Sequence, residues 1–209
     1  MSLPQGHVHI IDDDQFLVDE IADLVTSVGH IAHKYTSAEA FLRHLDASTT
    51  GCVVTDVRMR GMNGIELQEA IVKKRLPLPV VVISAYPSTE VAVRMMRNGA
   101  VTVLDKPFEH QHLLDAIHAA LATGRDLKVA AQAEEEVRTK LGSLTAGERQ
   151  VLEQVLAGAA NKAIAYDLGV SLRTVEMRRH MILKKLRVGS VAELVRYVLR
   201  AGPVIQSQN

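Results

Sequence analysis

Pro79-Val80-Val81-Val82-Ile83 is an unbroken apolar run rich in β-branched residues, and the polar Ser84 follows it directly. A run with no polar face suits a strand buried on both sides, as in a parallel sheet covered by helices. The flanking chain supplies the rest of such a sheet. His7–Ile11 reads as a first strand, followed by a helical pattern from Gln15 to Val28 with apolar residues at Leu17, Ile21, Leu24 and Val28. A strand at Ile31–Lys34 leads to a helix at Ala38–Leu45, for which Ser37 is the natural N-cap. Gly51–Thr55 is a third strand and Gly64–Lys73 the helix after it. Beyond Ser84, Thr89–Arg97 is helical and stops at Asn98-Gly99, a good C-cap. Val101–Leu104 and Glu109–Ala122 complete a fifth strand and a fifth helix. Five alternations in about 120 residues predict one α/β domain, a doubly wound five-stranded parallel sheet, over residues 1–124.

After Gly124 the pattern changes. Residues 125–141 are polar, rich in Ala and Glu and without strand signals, and read as a helical or frayed linker. Residues 142–209 predict a small all-α domain of four helices. Thr145 and Glu148 form a capping box that opens the first, to about Leu156. The second is Asn161–Leu168, ended by Gly169; the third starts at Ser171 or Leu172 and reaches Leu186. The fourth, capped by Ser190, runs to Arg200 ahead of Gly202-Pro203.

Composition narrows the class. Apolar residues are 47% and charged residues 23% of the 209, which excludes a largely disordered chain. Aromatics are only 3% and Trp is absent, so the core must be built from Val, Ile, Leu, Met and Ala. No apolar stretch approaches the roughly 20 residues of a membrane span, and no signal peptide is evident. Cys52 is the only cysteine, which excludes an internal disulfide framework and a Cys-based zinc site. These features predict a cytoplasmic protein with no membrane partner. The net charge of zero conceals a split. Residues 1–126 carry 11 Lys and Arg against 16 Asp and Glu, whereas residues 141–209 carry 10 against 5. An acidic part joined to a basic part suggests different partners, with nucleic acid the first guess for the basic one.

Polar residues gather at one edge of the predicted sheet. Asp12, Asp13 and Asp14 follow strand one, Asp56 follows strand three, Ser84 strand four and Lys106 strand five. Ligands of open parallel sheets bind outside the carboxyl ends of the strands. Clustered carboxylates suit Mg²⁺, and an ammonium with a hydroxyl suits phosphoryl oxygens. Singly, each residue has a plainer reading: Asp14 as a helix cap, Asp56 as a turn residue, Lys106-Pro107 as an ordinary loop. The conjunction at four strand ends is far rarer than its parts.

Asp12-Asp13, the stretch Asp56-Val57-Arg58-Met59-Arg60-Gly61-Met62-Asn63-Gly64, Ser84-Ala85 and Lys106-Pro107-Phe108 closely resemble the receiver domain of two-component response regulators, a flavodoxin-like fold, over residues 6–122. The resemblance implies that Asp56 is the phosphoacceptor. It implies that Asp12, Asp13, Asp56 and the backbone carbonyl of Arg58 hold Mg²⁺ (or Mn²⁺), that Ser84 and Lys106 contact the phosphoryl group, and that the Lys106–Pro107 bond is cis. Three positions depart from the family. Arg60 stands where proline is usual, Tyr86 lies at the pocket rim where smaller residues or His are common, and Val103 replaces an aromatic residue that often turns inward on activation. The last puts the usual hydroxyl–aromatic switch in doubt.

In the basic part, Val175, Ile182 and Leu186 share one face of the third helix with the stem of Arg179. Arg173, Met177, His180 and Lys184 form the opposite face, flanked by Glu176, Arg178 and Met181. Cationic, hydrogen-bonding and apolar groups on one exposed face suit a DNA major groove, with Thr174, Lys185 and Lys162 placed for phosphates. By pattern alone, a helical bundle for protein contacts stands equally open. The strings Leu144–Leu152, Asn161–Ala165 and Ser171–Glu176, continued by Lys184–Val188 and Ala192–Val195, resemble the LuxR-type helix-turn-helix. Ala160 and Arg178 depart from it, at positions where a hydroxyl residue and His are frequent. Together the two parts resemble DNA-binding response regulators of the FixJ/NarL group. The resemblance implies a sensor histidine kinase as donor, double-stranded DNA and RNA polymerase as partners, and homodimerisation on phosphorylation through helix four, strand five and helix five, near Val91, Met95 and Leu113. Self-catalysed phosphorylation and slow autodephosphorylation would be its only reactions. A phosphohydrolase working through an aspartyl-phosphate is disfavoured, because Arg58 stands two residues after Asp56 where that chemistry needs a second carboxylate. A regulator that binds DNA independently of phosphate is the other rival, hinted at by Val103.

Overall fold

The computed structural model describes residues 5–85 and 89–200. Tyr86 and Gly202-Pro203 lie outside them. The first unit, up to Lys128, contains β1 (His7–Ile11), α1 (Gln15–Ser27), β2 (Ile31–Tyr35), α2 (Ala38–His44), β3 (Cys52–Asp56), α3 (Gly64–Lys73), β4 (Val80–Ser84), α4 (Thr89–Arg97) and β5 (Ala100–Asp105). The strands form a five-stranded sheet of order β2-β1-β3-β4-β5, parallel at every pairing. Side-chain alternation along the strands divides the core into two layers. Val8, Ile10, Val54, Val81 and Ile83 pack with Val18, Ile21, Val25, Leu113 and Ile117. Ile11, Val53, Val80 and Val82 pack with Phe41, Leu67, Ile71 and Met95 on the other side. Both layers are built almost wholly from aliphatic residues, as the scarcity of aromatics requires.

The predicted caps are present: Asp14 on α1, Ser37 on α2, and Gly99, at a φ of +87°, after α4. Asp56 and Ser84 are the last residues of their strands rather than the first residues beyond them. Two residues assigned to an association surface are core residues instead. Met95 and Leu113 are both 0% exposed and lie in opposite layers, whereas Val93 and Met96 are the exposed apolar residues of α4.

α5 departs from expectation at one point: it is a single helix from His110 to Gly142 that runs past the predicted end at Ala122, and of the two readings of 125–141 the helical one holds. Ala, Glu, Gln, Lys and Arg dominate that stretch and are strong helix formers, while a glycine inside a helix costs only about 1 kcal/mol. Gly124 has its own reason to be there: a Cβ on it would lie 2.9 Å from the carbonyl oxygen of Gly51.

The second unit, from Val129, contains α6 (Ala146–Leu156), α7 (Asn161–Asp167), α8 (Leu172–Leu186) and α9 (Val191–Arg200). Val151, Leu152, Ile164, Val175, Ile182, Leu186 and Leu194 form its core, and Val137 and Leu141 of α5 join them. The capping box of Thr145 and Glu148 is complete, and Ser171 caps α8. Among the described residues no helix is long and apolar enough to cross a membrane.

Candidate functional site

At the carboxyl edge of the sheet the Lys106 ammonium lies between two carboxylates. It donates to Asp12 Oδ2 at 2.9 Å and to Asp56 Oδ2 at 3.1 Å. Asp12 is 1% and Asp56 8% exposed, so the three charges meet where water screens them poorly. Local structure sets each one. Asp12 Oδ1 accepts the Asp14 N–H at 2.9 Å, while Asp14 caps α1 through the N–H groups of Phe16 and Leu17. Ser84, fully buried, accepts the Lys106 N–H on its carbonyl at 2.7 Å, and the Lys106–Pro107 bond is cis as expected. The loop after β3 folds tightly against Asp56: a Cβ on Gly64 would come within 2.2 Å of the Asp56 carbonyl oxygen, so only glycine fits.

Burial raises the Asp12 carboxyl above its ordinary pKa, against the pull of the Asp14 N–H and Lys106. Burial alone would lower Lys106, but its bonds and charge contacts with Asp12 and Asp56 outweigh that and raise it, so it stays an ammonium. Asp56 Oδ1 is buried and, among the described residues, has no hydrogen-bond partner. An orphaned carboxylate oxygen beside a fixed cation is a costly arrangement for stability alone.

The site therefore brings together Asp12, Asp56 and Lys106, with Ser84 at the end of the neighbouring strand. It does not bring in Asp13, whose Oδ2 faces Arg60 instead, accepting the backbone N–H at 3.3 Å with Nε at 3.5 Å. Among the described residues no three His, Cys, Asp or Glu side chains already converge as a metal site. Val103 is half-buried against the layer that holds Met95.

The second unit presents a different surface. Along α8, Val175, Ile182 and Leu186 are buried, while Arg173, Glu176, Met177, His180 and Lys184 are exposed, as is Lys162 on α7. Other polar residues of α8 turn inward. Arg179 donates to Asn161 Oδ1, Arg178 lies against the Gly147 carbonyl at 3.5 Å, and Lys185 donates to Glu148 Oε2 at 2.7 Å. Thr174 is half-buried, its hydroxyl 2.8 Å from that of Ser171. Lys185, placed for phosphates by its helical position, is thus committed inside the fold. Ala160 precedes α7 without a side-chain cap. The double role of Glu148, capping α6 and binding Lys185, was not read from the sequence; its only signal was a capping glutamate beside the apolar Val151 and Leu152.

Two buried aspartates bridged by a lysine at the carboxyl edge of a doubly wound sheet, followed by a helical unit with an exposed cationic helix, define the class. Residues 8–118 match the response regulator receiver domain and residues 142–198 the bacterial regulatory proteins of the luxR family. The chain belongs to the response regulators that join these two domains. It is 36% identical over 198 residues to the transcriptional regulatory protein FixJ of Bradyrhizobium diazoefficiens, covering 95% of this chain and 97% of the relative. It is 40% identical over 201 residues to FixJ of Azorhizobium caulinodans, covering 96% and 94%. The response regulator protein TodT of Pseudomonas putida is 35% identical over 193 residues, covering 92% and 85%. Among solved structures, the response regulator StyR matches with a TM-score of 0.79 at 38% identity, over 94% of this chain and 99% of that one. Full-length FixJ from B. japonicum matches at 0.58 and 36%, over 96% and 98%.

Proposed function

We propose that the chain is a DNA-binding transcriptional response regulator of a two-component system, switched by phosphorylation of Asp56. In this reading residues 1–124 are the phosphoacceptor domain, 125–141 a helical connection and 142–209 the DNA-binding domain. The carrying observation is the Lys106 ammonium held between Asp12 and Asp56, beside an Asp56 oxygen with no partner. Asp56 attacks the phosphorus of a phosphohistidine on a sensor histidine kinase. A new O–P bond forms, the N–P bond breaks, and its electron pair stays on the imidazole. Lys106, held as an ammonium beside Asp56, exchanges its bond to that carboxylate for one to a phosphoryl oxygen, and the Ser84 hydroxyl donates to another. Water attack on the same phosphorus reverses the modification, so self-phosphorylation from a donor and slow autodephosphorylation are the reactions of this site.

Asp12, Asp13, Asp56 and the Arg58 carbonyl would hold one Mg²⁺ or Mn²⁺. The oxygen-only donor set and the orphaned Asp56 Oδ1 fit a hard cation that keeps several waters. When bound, the ion supplies positive charge to the phosphoryl oxygens. Phosphorylation biases a conformational equilibrium that controls homodimerisation through α4, β5 and α5, where Val93 and Met96 are exposed. The α8 stripe then enters the major groove, and the bound dimer acts on RNA polymerase in the cytoplasm. Arg173, Glu176, Met177 and His180 face the bases, and Lys162, Thr174 and Lys184 lie towards the backbone, while Arg178 stays with the Gly147 carbonyl. The test is labelling of the full chain by acetyl phosphate. Asp56→Asn is expected to lose all label while keeping its fold, and equal labelling of that variant refutes the assignment.

A further inference from the structure

We infer that the Arg60 guanidinium competes with the divalent cation for Asp13 and so lowers the metal affinity of this receiver. The inference rests on the metal-site reading above and concerns what sets its affinity. Lys106 bridges Asp12 and Asp56, whereas the contacts of Asp13 are with Arg60. Asp13 takes both the backbone N–H at 3.3 Å and Nε at 3.5 Å on the single oxygen Oδ2. The Arg60 side chain is 96% exposed, and among the described residues Asp13 is its only ionic partner. Its position is set by the backbone rather than by packing. Arg60 sits in the loop between β3 and α3, whose far side is tied down by Glu39, which accepts the Met62 N–H at 2.8 Å. The loop is therefore held from two directions, and Arg60 is the end that carries a charge.

A cation entering between Asp12, Asp13 and Asp56 shares the Asp13 carboxylate with a guanidinium already beside its Oδ2. Arg60 is thus a positioning residue that lowers metal affinity. Because the pair is exposed, its strength is small, and release of the competitor corresponds to about a two- to fivefold change in affinity.

The experiment measures Mn²⁺ binding by electron paramagnetic resonance and Mg²⁺ binding by calorimetry, on the full-length chain and on Arg60→Gln and Arg60→Lys, with thermal unfolding of each. Arg60→Gln is expected to bind both ions two- to fivefold more tightly while melting no higher than the parent. Arg60→Lys is expected to stay near the parent affinity. A loop tether without competition predicts the opposite, looser metal binding in Arg60→Gln, and that result or unchanged affinity overturns the inference. Equal tightening in both variants overturns it too, since charge would then be irrelevant. A parent chain that binds neither ion, with Arg60→Gln equally inert, overturns the metal-site reading itself.

Discussion

Lys185, in the last turn of α8, places its ammonium 2.7 Å from Oε2 of Glu148, a carboxylate that is 6% exposed in the first turn of α6. The same oxygen accepts the Thr145 N–H at 2.7 Å, so one carboxylate both starts α6 and pins α8 to it. Removing either partner should destabilise the second unit, but unequally. Lys185→Met leaves a buried charge unpaired and is expected to cost about 2–3 kcal/mol. Glu148→Gln leaves a neutral acceptor for Thr145 and is expected to cost about 1 kcal/mol. Hydrogen exchange of the α6 amides measures both, and the reverse order would contradict the account.

The same pair has a pH signature. Burial pushes the Glu148 carboxyl up, but Lys185 and Thr145 outweigh it and hold it below the ordinary carboxylate range. The folded state therefore binds its proton less readily than the unfolded state. The stabilisation is complete above the unfolded pKa of about 4.3 and disappears as pH falls through the lower folded value. Exchange protection of α6 should fall in that acid window, and Glu148→Gln should flatten the decline.

In the first unit an acid effect appears at higher pH. His9 is buried with its Nε2 donating to the Thr50 carbonyl at 3.1 Å, and its ring stacks on His33 at 4.8 Å. Burial lowers its pKa most; the Thr50 bond opposes this, and the charges of His33 and His7 add to it, leaving about 4. A lowered imidazole pKa means that protons favour the unfolded chain. Stability should be full above about 6.5, decline between 6.5 and 4, and level off below, by about 3 kcal/mol at most. His9→Gln keeps a donor for Thr50 and should lose most of that slope in pH-dependent unfolding of the receiver. An unchanged slope would assign the effect elsewhere.

Coupling between Lys106 and its two carboxylates is measurable without any phosphodonor. Lys106→Met leaves Asp12 and Asp56 facing each other unneutralised and should destabilise the receiver by about 2 kcal/mol or more. In an Asp56→Asn background the same substitution removes less, because one of the two carboxylates is gone. A double-mutant cycle on thermal stability should show that non-additivity. Strictly additive costs would mean that Lys106 does not hold the two together.

The parts of this molecule that follow from local rules were legible in the sequence. Period and caps place every strand of the sheet domain and its first four helices, and the strand ends place Asp12, Asp56, Ser84 and Lys106 at one edge. Pairings across long sequence separations were not. Asp13 looked like a third carboxylate beside Asp12, and only the β3–α3 loop brings Arg60 to it. Lys185 looked outward on a helical wheel, which cannot show that α6 supplies a buried acid 37 residues earlier. Met95 and Leu113 were placed at a surface because helix position alone does not say how deep the layer above a sheet lies. The continuity of α5 across Gly124 is hidden for a milder reason: Gly124 weakens a helix only slightly, and its close approach to Gly51 is invisible without the fold.

The exposed stripe of α8 allows a sharper division of labour than the sequence alone did. Lys185, Arg179 and Arg178 are engaged with Glu148, Asn161 and Gly147, which leaves Arg173, Glu176, Met177, His180 and Lys184 facing solvent. Met177, 59% exposed, and His180 lie mid-helix, where a helix in the major groove comes nearest the base edges. Lys184 and Lys162 are long cations at the margins, suited to phosphates that position the module without reading sequence. The two groups should fail differently. His180→Ala or Met177→Ala should change the preferred bases, at about 1–3 kcal/mol for a good contact. Lys162→Ala or Lys184→Ala should weaken binding to every sequence and reduce the salt slope by roughly one ion per contact. Lys185→Met, by contrast, should act through stability and leave the salt slope of the folded protein unchanged. Binding-site selection on the phosphorylated full chain, with affinities at several salt concentrations, measures all three. If Lys184→Ala shifts base preference while His180→Ala and Met177→Ala leave it intact, the roles along this helix are reversed.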